Sequence, residues 1–260
     1  MPLFQRYIGI EYSGAEAPGS GLPGLRVYSV TGDAEPIEIV PDSGVKFWSR
    51  QTLADWLALT LSAGPRTLVG IGHPFSFPEA YFDQYKLPKS WDAFLADFCT
   101  HWPTFRPNVF VDYVRLSTNG YKLVREGKPV WRRVIDQRAK GAKSPFWFDV
   151  IGSVAKSAHA GIPWLMIIRK KIGTAVHFWP FDGWSLPAEA NIVVEVHPTL
   201  WNHIYPIHKS RTPDQQDAYC IAKRLAEMDL TSELESSFAP VLTDQEKAKA
   251  SFEGWMLGVM

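Results

Sequence analysis

Tyr7-Ile8-Gly9-Ile10-Glu11-Tyr12-Ser13-Gly14 and Ile192-Val193-Val194-Glu195-Val196-His197-Pro198 share one pattern: an apolar run interrupted by a carboxylate and closed by a turn signal. Runs of Val and Ile bounded by Gly or Pro read as buried strands. A carboxylate inside such a strand carries a desolvation cost unless something positive faces it. A divalent cation is one such partner, because hard cations are held by carboxylates gathered from separate elements. The paired pattern therefore points to a metal-dependent enzyme.

The neighbouring sequence fills in an α/β layered domain with a mixed sheet. Residues 6–12 read as a first strand, followed by a Gly/Pro-rich loop from Gly14 to Gly24. Leu25–Val30 and Ile37–Val40 read as two more strands around Thr31-Gly32-Asp33, a meander. Ser49 can cap a helix in which Leu53, Trp56, Leu57 and Leu61 recur at helical spacing. Thr67–Ile71 is the next strand and stops at Gly72-His73-Pro74. Residues 90–102 are helical, with Trp91, Phe94, Leu95 and Phe98 on one face. Gly152–Lys171 reads as helix-rich and broken at Gly161-Ile162-Pro163, while Trp179-Pro180-Phe181 reads as a turn. Thr174–Phe178 and Asn191–Val196 are strands. Two late helices begin with the capping boxes Thr212-Pro213-Asp214-Gln215 and Thr243-Asp244-Gln245-Glu246.

Composition narrows the classes. The chain has 260 residues, 46% of them hydrophobic and 11 of them Trp, enough for a large core and too apolar for general disorder. Formal net charge is zero, so affinity for a polyanion must come from a local patch. Cys99 and Cys220 form no disulfide framework and no zinc motif, which fits a reducing compartment. Without a signal-like start or a spanning apolar run, the expectation is a soluble, cytoplasmic protein with no membrane partner. Oligomeric state is left open.

On the helix after Pro213, Asp214, Ala218, Ile221 and Leu225 share a face, with Asp217 beside them. Asp214 and Asp217 thus project from the first turn along the margin of the apolar face. Dipole compensation is the plain account of carboxylates there; a role in the site is the functional one.

Together these motifs resemble the DUF429 group of predicted nucleases, which are assigned an RNase H-like fold. The matching landmarks are Gly9-Ile10-Glu11-Tyr12-Ser13-Gly14, residues 69–78 (Val-Gly-Ile-Gly-His-Pro-Phe-Ser-Phe-Pro), Ala142-Lys143-Ser144-Pro145-Phe146 and residues 152–157 (Gly-Ser-Val-Ala-Lys-Ser). Residues 161–165, 179–184, 195–198, 212–218 and 253–258 continue the series across nearly the whole chain. The resemblance implies one RNase H-like domain over 1–260, its mixed β-sheet flanked by helices, with residues 106–171 a basic, partly helical insertion. It implies metal-dependent hydrolysis of nucleic-acid phosphodiester bonds. Glu11, Glu195 and Asp217 would be the catalytic carboxylates holding Mg²⁺ or Mn²⁺, with Asp214 a further ligand or outer partner. Where the family usually has Asp on the first strand this chain has the longer Glu11, and where it has Asp on the second strand motif this chain has Gly72. His73, next to Gly72, should point to the opposite face of a regular strand and reach the site only through a kink. The departures raise an alternative: a catalytically impaired relative that binds nucleic acid or nucleotides.

Between Arg115 and Lys143 there are nine Lys/Arg against Glu126 and Asp136. One reading is a solvated insertion. The other is a surface that tracks phosphates, with Arg132, Arg133, Arg138 and Lys143 gripping the backbone and Tyr121, Trp131 and Trp147 stacking bases. Ala142-Lys143-Ser144 and Ala155-Lys156-Ser157 lack the frame of a P-loop. The spacings of His197, His203 and His208 fit no helical zinc pair, although His197 stands where it can line a site at its strand's end. No nucleophile elbow or dinucleotide fingerprint is present. Phosphotransfer on an actin-like variant would need a phosphate-binding Gly loop after the first strand of each half, and only Gly14–Gly24 approaches one.

Overall fold

The structure, a computed structural model, describes residues 2–42, 44–116 and 124–260. β1 (Arg6–Glu11), β2 (Arg26–Thr31) and β3 (Ile37–Glu38) form the meander that the turn at Thr31-Gly32-Asp33 predicts. α1 (Arg50–Ala63) starts at Ser49, whose side chain accepts from the Thr52 amide. β4 (Thr67–Ile71) lies parallel to β1. α2 (Glu79–Tyr85), α3 (Trp91–His101), α4 (Val111–Arg115), α5 (Val134–Arg138) and α6 (Ala155–Ile172) follow. β5 (Val176–Trp179) and β6 (Asn191–Glu195) complete the sheet, and α7 (Pro213–Leu230), α8 (Glu233–Ser237) and α9 (Asp244–Glu253) the chain's helices. Among the described residues the sheet has six strands in the order β3-β2-β1-β4-β6-β5, with β1, β4, β6 and β5 mutually parallel. Helices flank it on both sides, so the fold is α/β with a mixed sheet.

The side-chain alternation of the strands sorts the core into two halves. Ile8 and Ile10 of β1, Val69 and Ile71 of β4, and Val193 of β6 pack with α1, α3 and α6. Tyr7, Leu68, Ile192 and Val194 face the other way, towards α7. Gly9 and Gly70, paired in register, let α7 settle onto the sheet. A Cβ on Gly9 would stand 2.3 Å from the Ala218 carbonyl oxygen, and one on Gly70 2.8 Å from Ile221 Cγ2. Two glycines thus fix how closely the helix bearing Asp214 and Asp217 approaches the strand bearing Glu11.

One expected break is absent. α6 runs without interruption through Gly161 and Pro163. Proline cannot donate to the carbonyl four residues back, and that carbonyl, of His159, accepts instead from the buried Thr104 hydroxyl at 2.7 Å. Gly161 lies against His73, where a Cβ would come within 2.4 Å of Nε2. α6 packs on α1 and α3, so residues 155–172 are a layer of the core. The turn after β5 begins with a cis peptide between Trp179 and Pro180. Among the described residues no helix is long and apolar enough to cross a membrane.

Candidate active site

Glu11 ends β1 on the face that carries Tyr7 and Gly9, the face turned to α7. It lines a cleft of about 490 Å³ together with Ser13, Gly72, Lys156, His197, Asp214 and Asp217. Its acids come from the end of β1 and the N-terminal part of α7, which Thr212 caps by accepting from the Gln215 amide, and the segments after β4 and β6 and the start of α6 complete its walls. Buried Arg50 fixes the loop at the rim, donating to the carbonyls of Ser13 (3.1 Å), Ala15 (2.7 Å) and Glu16 (2.7 Å).

The cleft gathers three acids around one buried, unmatched carboxyl oxygen. Glu11 Oε2 is buried and has no hydrogen-bond partner. Burial, then the charges of Asp217 and Asp214, hold the Glu11 carboxyl well above its ordinary range. Burial also raises Asp214 and Asp217. Asn202 donates to Asp217 at 3.4 Å. Of the nearby cations, Lys156 is paired with Asp112 at 2.5 Å, and Arg26, paired with Glu38 at 3.0 Å, partly offsets the rise at Asp214. His197 Nε2, in the same wall, is likewise buried without a partner, and burial lowers that imidazole's pKa. Three carboxylates, one of them with an orphaned oxygen, are donor chemistry that fits a hard divalent cation. Among the described residues, no group of three or more His, Cys, Asp or Glu side chains is arranged to hold a metal ion as the side chains stand.

Glu195 is elsewhere. It pairs in register with Ile71, which packs on the α1–α6 side, so its side chain leaves the sheet on the face opposite Glu11. There it is 1% exposed and held by Arg133, itself 0% exposed, through two short contacts: Nη2 to Oε1 at 2.6 Å and Nη1 to Oε2 at 2.7 Å. The Phe75 amide adds a third bond at 3.0 Å. Arg133 also bonds Asp136 at 2.9 Å. Burial opposes the arginine's charge, but Asp136 and Glu195 more than offset that and raise its pKa. The positive partner demanded by the β6 carboxylate is a guanidinium.

The same geometry corrects the reading of the basic stretch. Arg133 is locked inside and offers nothing to a phosphate. Arg132 donates to the Asp136 and Ala142 carbonyls, Arg138 pairs with Glu246 at 2.5 Å, and Lys143 donates to the Ile151 carbonyl. Arg115 and Arg125 pair with Asp149 and Asp97. Net charge along a segment counts cations but not their partners: of the four cations named, Arg133 is withdrawn from the surface and the other three have partners within the protein. Tyr121 and Lys122 lie outside the described residues. His73 is buried on the far face, as strand parity requires; its Nδ1 bonds the Pro74 carbonyl and burial lowers its pKa to about 4. It does not line the carboxylate cleft.

Sequence reasoning missed Arg50 and gave His197 no firm place in the site. Arg50 sits in an ordinary amphipathic helix, and nothing in its spacing marks it as loop-binding. No protein-family model, curated protein or solved structure matches the chain.

Proposed function

We propose that the cleft at the end of β1 is the active site of a metal-dependent phosphodiester hydrolase acting on nucleic acid, built on an RNase H-like member of the α/β class and related to the DUF429 nucleases. The observation that carries this reading is the buried, partnerless Oε2 of Glu11 beside Asp214 and Asp217, a cluster in which burial raises all three carboxyls. The family resemblance implies an acid on the first strand met by acids from a later strand and a late helix; Glu11 and the acids of α7 share this cleft, and Glu195 of the later strand does not. Glu11, Asp217 and Asp214 would hold Mg²⁺ or Mn²⁺, and Glu195 serves the fold. When bound, the ion supplies charge stabilisation at a phosphoryl oxygen and activation of water. The chain's own contribution is to keep Glu11 oriented on a central strand, to fix the rim loop through Arg50, and to present Lys156 and the neutral His197 imidazole at the wall.

The test is cleavage of labelled single- and double-stranded DNA and RNA with Mg²⁺ or Mn²⁺. Wild type should cut at least one substrate in a metal-dependent way, and Glu11→Gln and Asp217→Asn should abolish cutting while remaining folded. Cutting that survives both substitutions would remove the cleft from the mechanism.

A second reading is favoured by Gly72, which stands where a further acid would complete the set: a non-catalytic relative that binds nucleic acid or nucleotides. Salt-sensitive binding that persists in EDTA, with every substrate left intact, would select it.

A further inference from the structure

The carboxylate cleft, of about 490 Å³, falls within the roughly 300–1,000 Å³ usual for sites that hold one small molecule. A long nucleic-acid strand needs more than such a cleft. Its flanking phosphates are gripped by lysines and arginines outside the reacting centre, and each grip shows as salt dependence. The cations around the cleft therefore decide how much of a strand the protein can hold.

Arg26, Arg50, Arg115, Lys143 and Lys156 border it, and each is engaged within the protein. Lys156, in the cleft wall, pairs with Asp112 at 2.5 Å. Arg115, one turn further along α4, pairs with Asp149 and lies over the Phe148 ring at 4.6 Å. Lys143, whose ammonium lies 3.3 Å from where a Cβ on Gly152 would stand, donates to the Ile151 carbonyl. Arg26, whose charge reaches Asp214, pairs with Glu38 at 3.0 Å. Buried Arg50 commits its donors to the carbonyls of the rim loop. A phosphate that draws Lys156, Arg115 or Arg26 away exchanges one ion pair for another and leaves an acid beside its own charge, so the exchange gains little. Inside the cleft, Glu11, Asp214 and Asp217 repel any phosphate not bridged to them by a cation.

We propose that the substrate of this cleft is a dinucleotide: one phosphodiester with the nucleoside on either side, held without help from flanking phosphates. A longer strand is then taken one link at a time and gains nothing from its length. That the ligand is a nucleic-acid phosphodiester rests on the reading of the cleft as a hydrolase site; the limit on its length rests on the cations of the rim.

The test titrates the full chain by calorimetry with a dinucleotide and with a single strand of about twenty nucleotides, each as DNA and as RNA, in Ca²⁺ at about 50 and about 200 mM salt. Affinity per phosphodiester should agree within about tenfold between the two lengths. The logarithmic salt slope of the longer strand should be no steeper than about −1.4, the value for two phosphates. A long strand bound more than about tenfold tighter per phosphodiester, a steeper slope, or no saturable binding of either dinucleotide would overturn the proposal. Asp149→Asn, at an exposed position, should unmask Arg115: the long strand should gain about threefold and its slope steepen by about 0.7, with the dinucleotide unmoved. A long strand indifferent to that substitution would overturn the account of the rim on which the proposal stands. Binding in Ca²⁺ is read without turnover. Length-independent binding with every substrate left uncut in Mg²⁺ and Mn²⁺ would therefore sink the hydrolase reading and keep the dinucleotide site, whereas metal-dependent cleavage of strands gripped through many phosphates would do the reverse.

Discussion

Glu11 and Glu195 each end a strand of the same sheet, one position apart in register, yet they live in opposite electrostatic worlds. Glu195 is enclosed and matched: a buried guanidinium and a backbone amide occupy its oxygens. Glu11 has a buried oxygen that nothing in the protein matches, and two further carboxylates nearby. The first arrangement is how a fold neutralises an internal charge; the second is how a site keeps one available for a ligand. A carboxylate's place in a strand does not reveal its use, whereas the state of its hydrogen bonds does.

The comparison can be broken most forcefully at its closed end. Arg133→Met leaves Glu195 and Asp136 buried without their cation, and should cost about 3–5 kcal/mol of stability in urea unfolding. Glu195→Gln, which keeps shape but not charge, should cost about 1–3 kcal/mol and leave any metal-dependent cleavage in the folded enzyme intact. Loss of cleavage in a well-folded Glu195→Gln would return that residue to the active site.

The open end should respond with the opposite sign. A carboxyl whose folded pKa is raised contributes stability below its unfolded value, near 4.5, and loses it as pH rises towards the folded value. Glu11→Gln removes that loss, so its advantage in urea midpoint over wild type should grow with pH above 4.5. Mn²⁺ should raise the Tm of wild type more at pH 8 than at pH 5, and barely raise that of Glu11→Gln. Gly72→Asp sharpens the contrast by adding a fourth acid: a Cβ there would lie 2.7 Å from Glu11 Oε2, so that side chain must yield. Its metal-free Tm should fall below wild type and its gain on adding Mn²⁺ should exceed wild type's. The smallest effect belongs to Thr212→Ala, which uncaps the helix carrying Asp214 and Asp217 and should cost about 1 kcal/mol.

How much of this was legible follows from what each signal encodes. Capping boxes and apolar periodicity are local, so the starts of α1, α7 and α9 and both ends of β1, β4 and β6 could be read to within a residue. The proximity of Glu11 to Asp217 depends on Gly9 and Gly70 meeting across the sheet, and only their small size was visible in the sequence. Glu195 was grouped with Glu11 because both end apolar runs. Which face each takes depends on the pairing of Ile71 with Glu195, a register between segments more than a hundred residues apart. Pro163 was read as a break because its lost hydrogen bond is local information, whereas the Thr104 hydroxyl that compensates comes from another segment.

The Arg133 cluster also has a consequence in time. Its contacts come from Asp136, from Glu195 and from the carbonyl of Glu253, which is synthesised 120 residues after the arginine. While the chain is growing, the guanidinium has only Asp136 within easy reach and stays hydrated beside it. Contacts of such long sequence separation close late, so the cluster behaves as a latch on the nascent chain, fastening β6 to the segment around Glu253 after the β1–β2–β3 meander has had time to form.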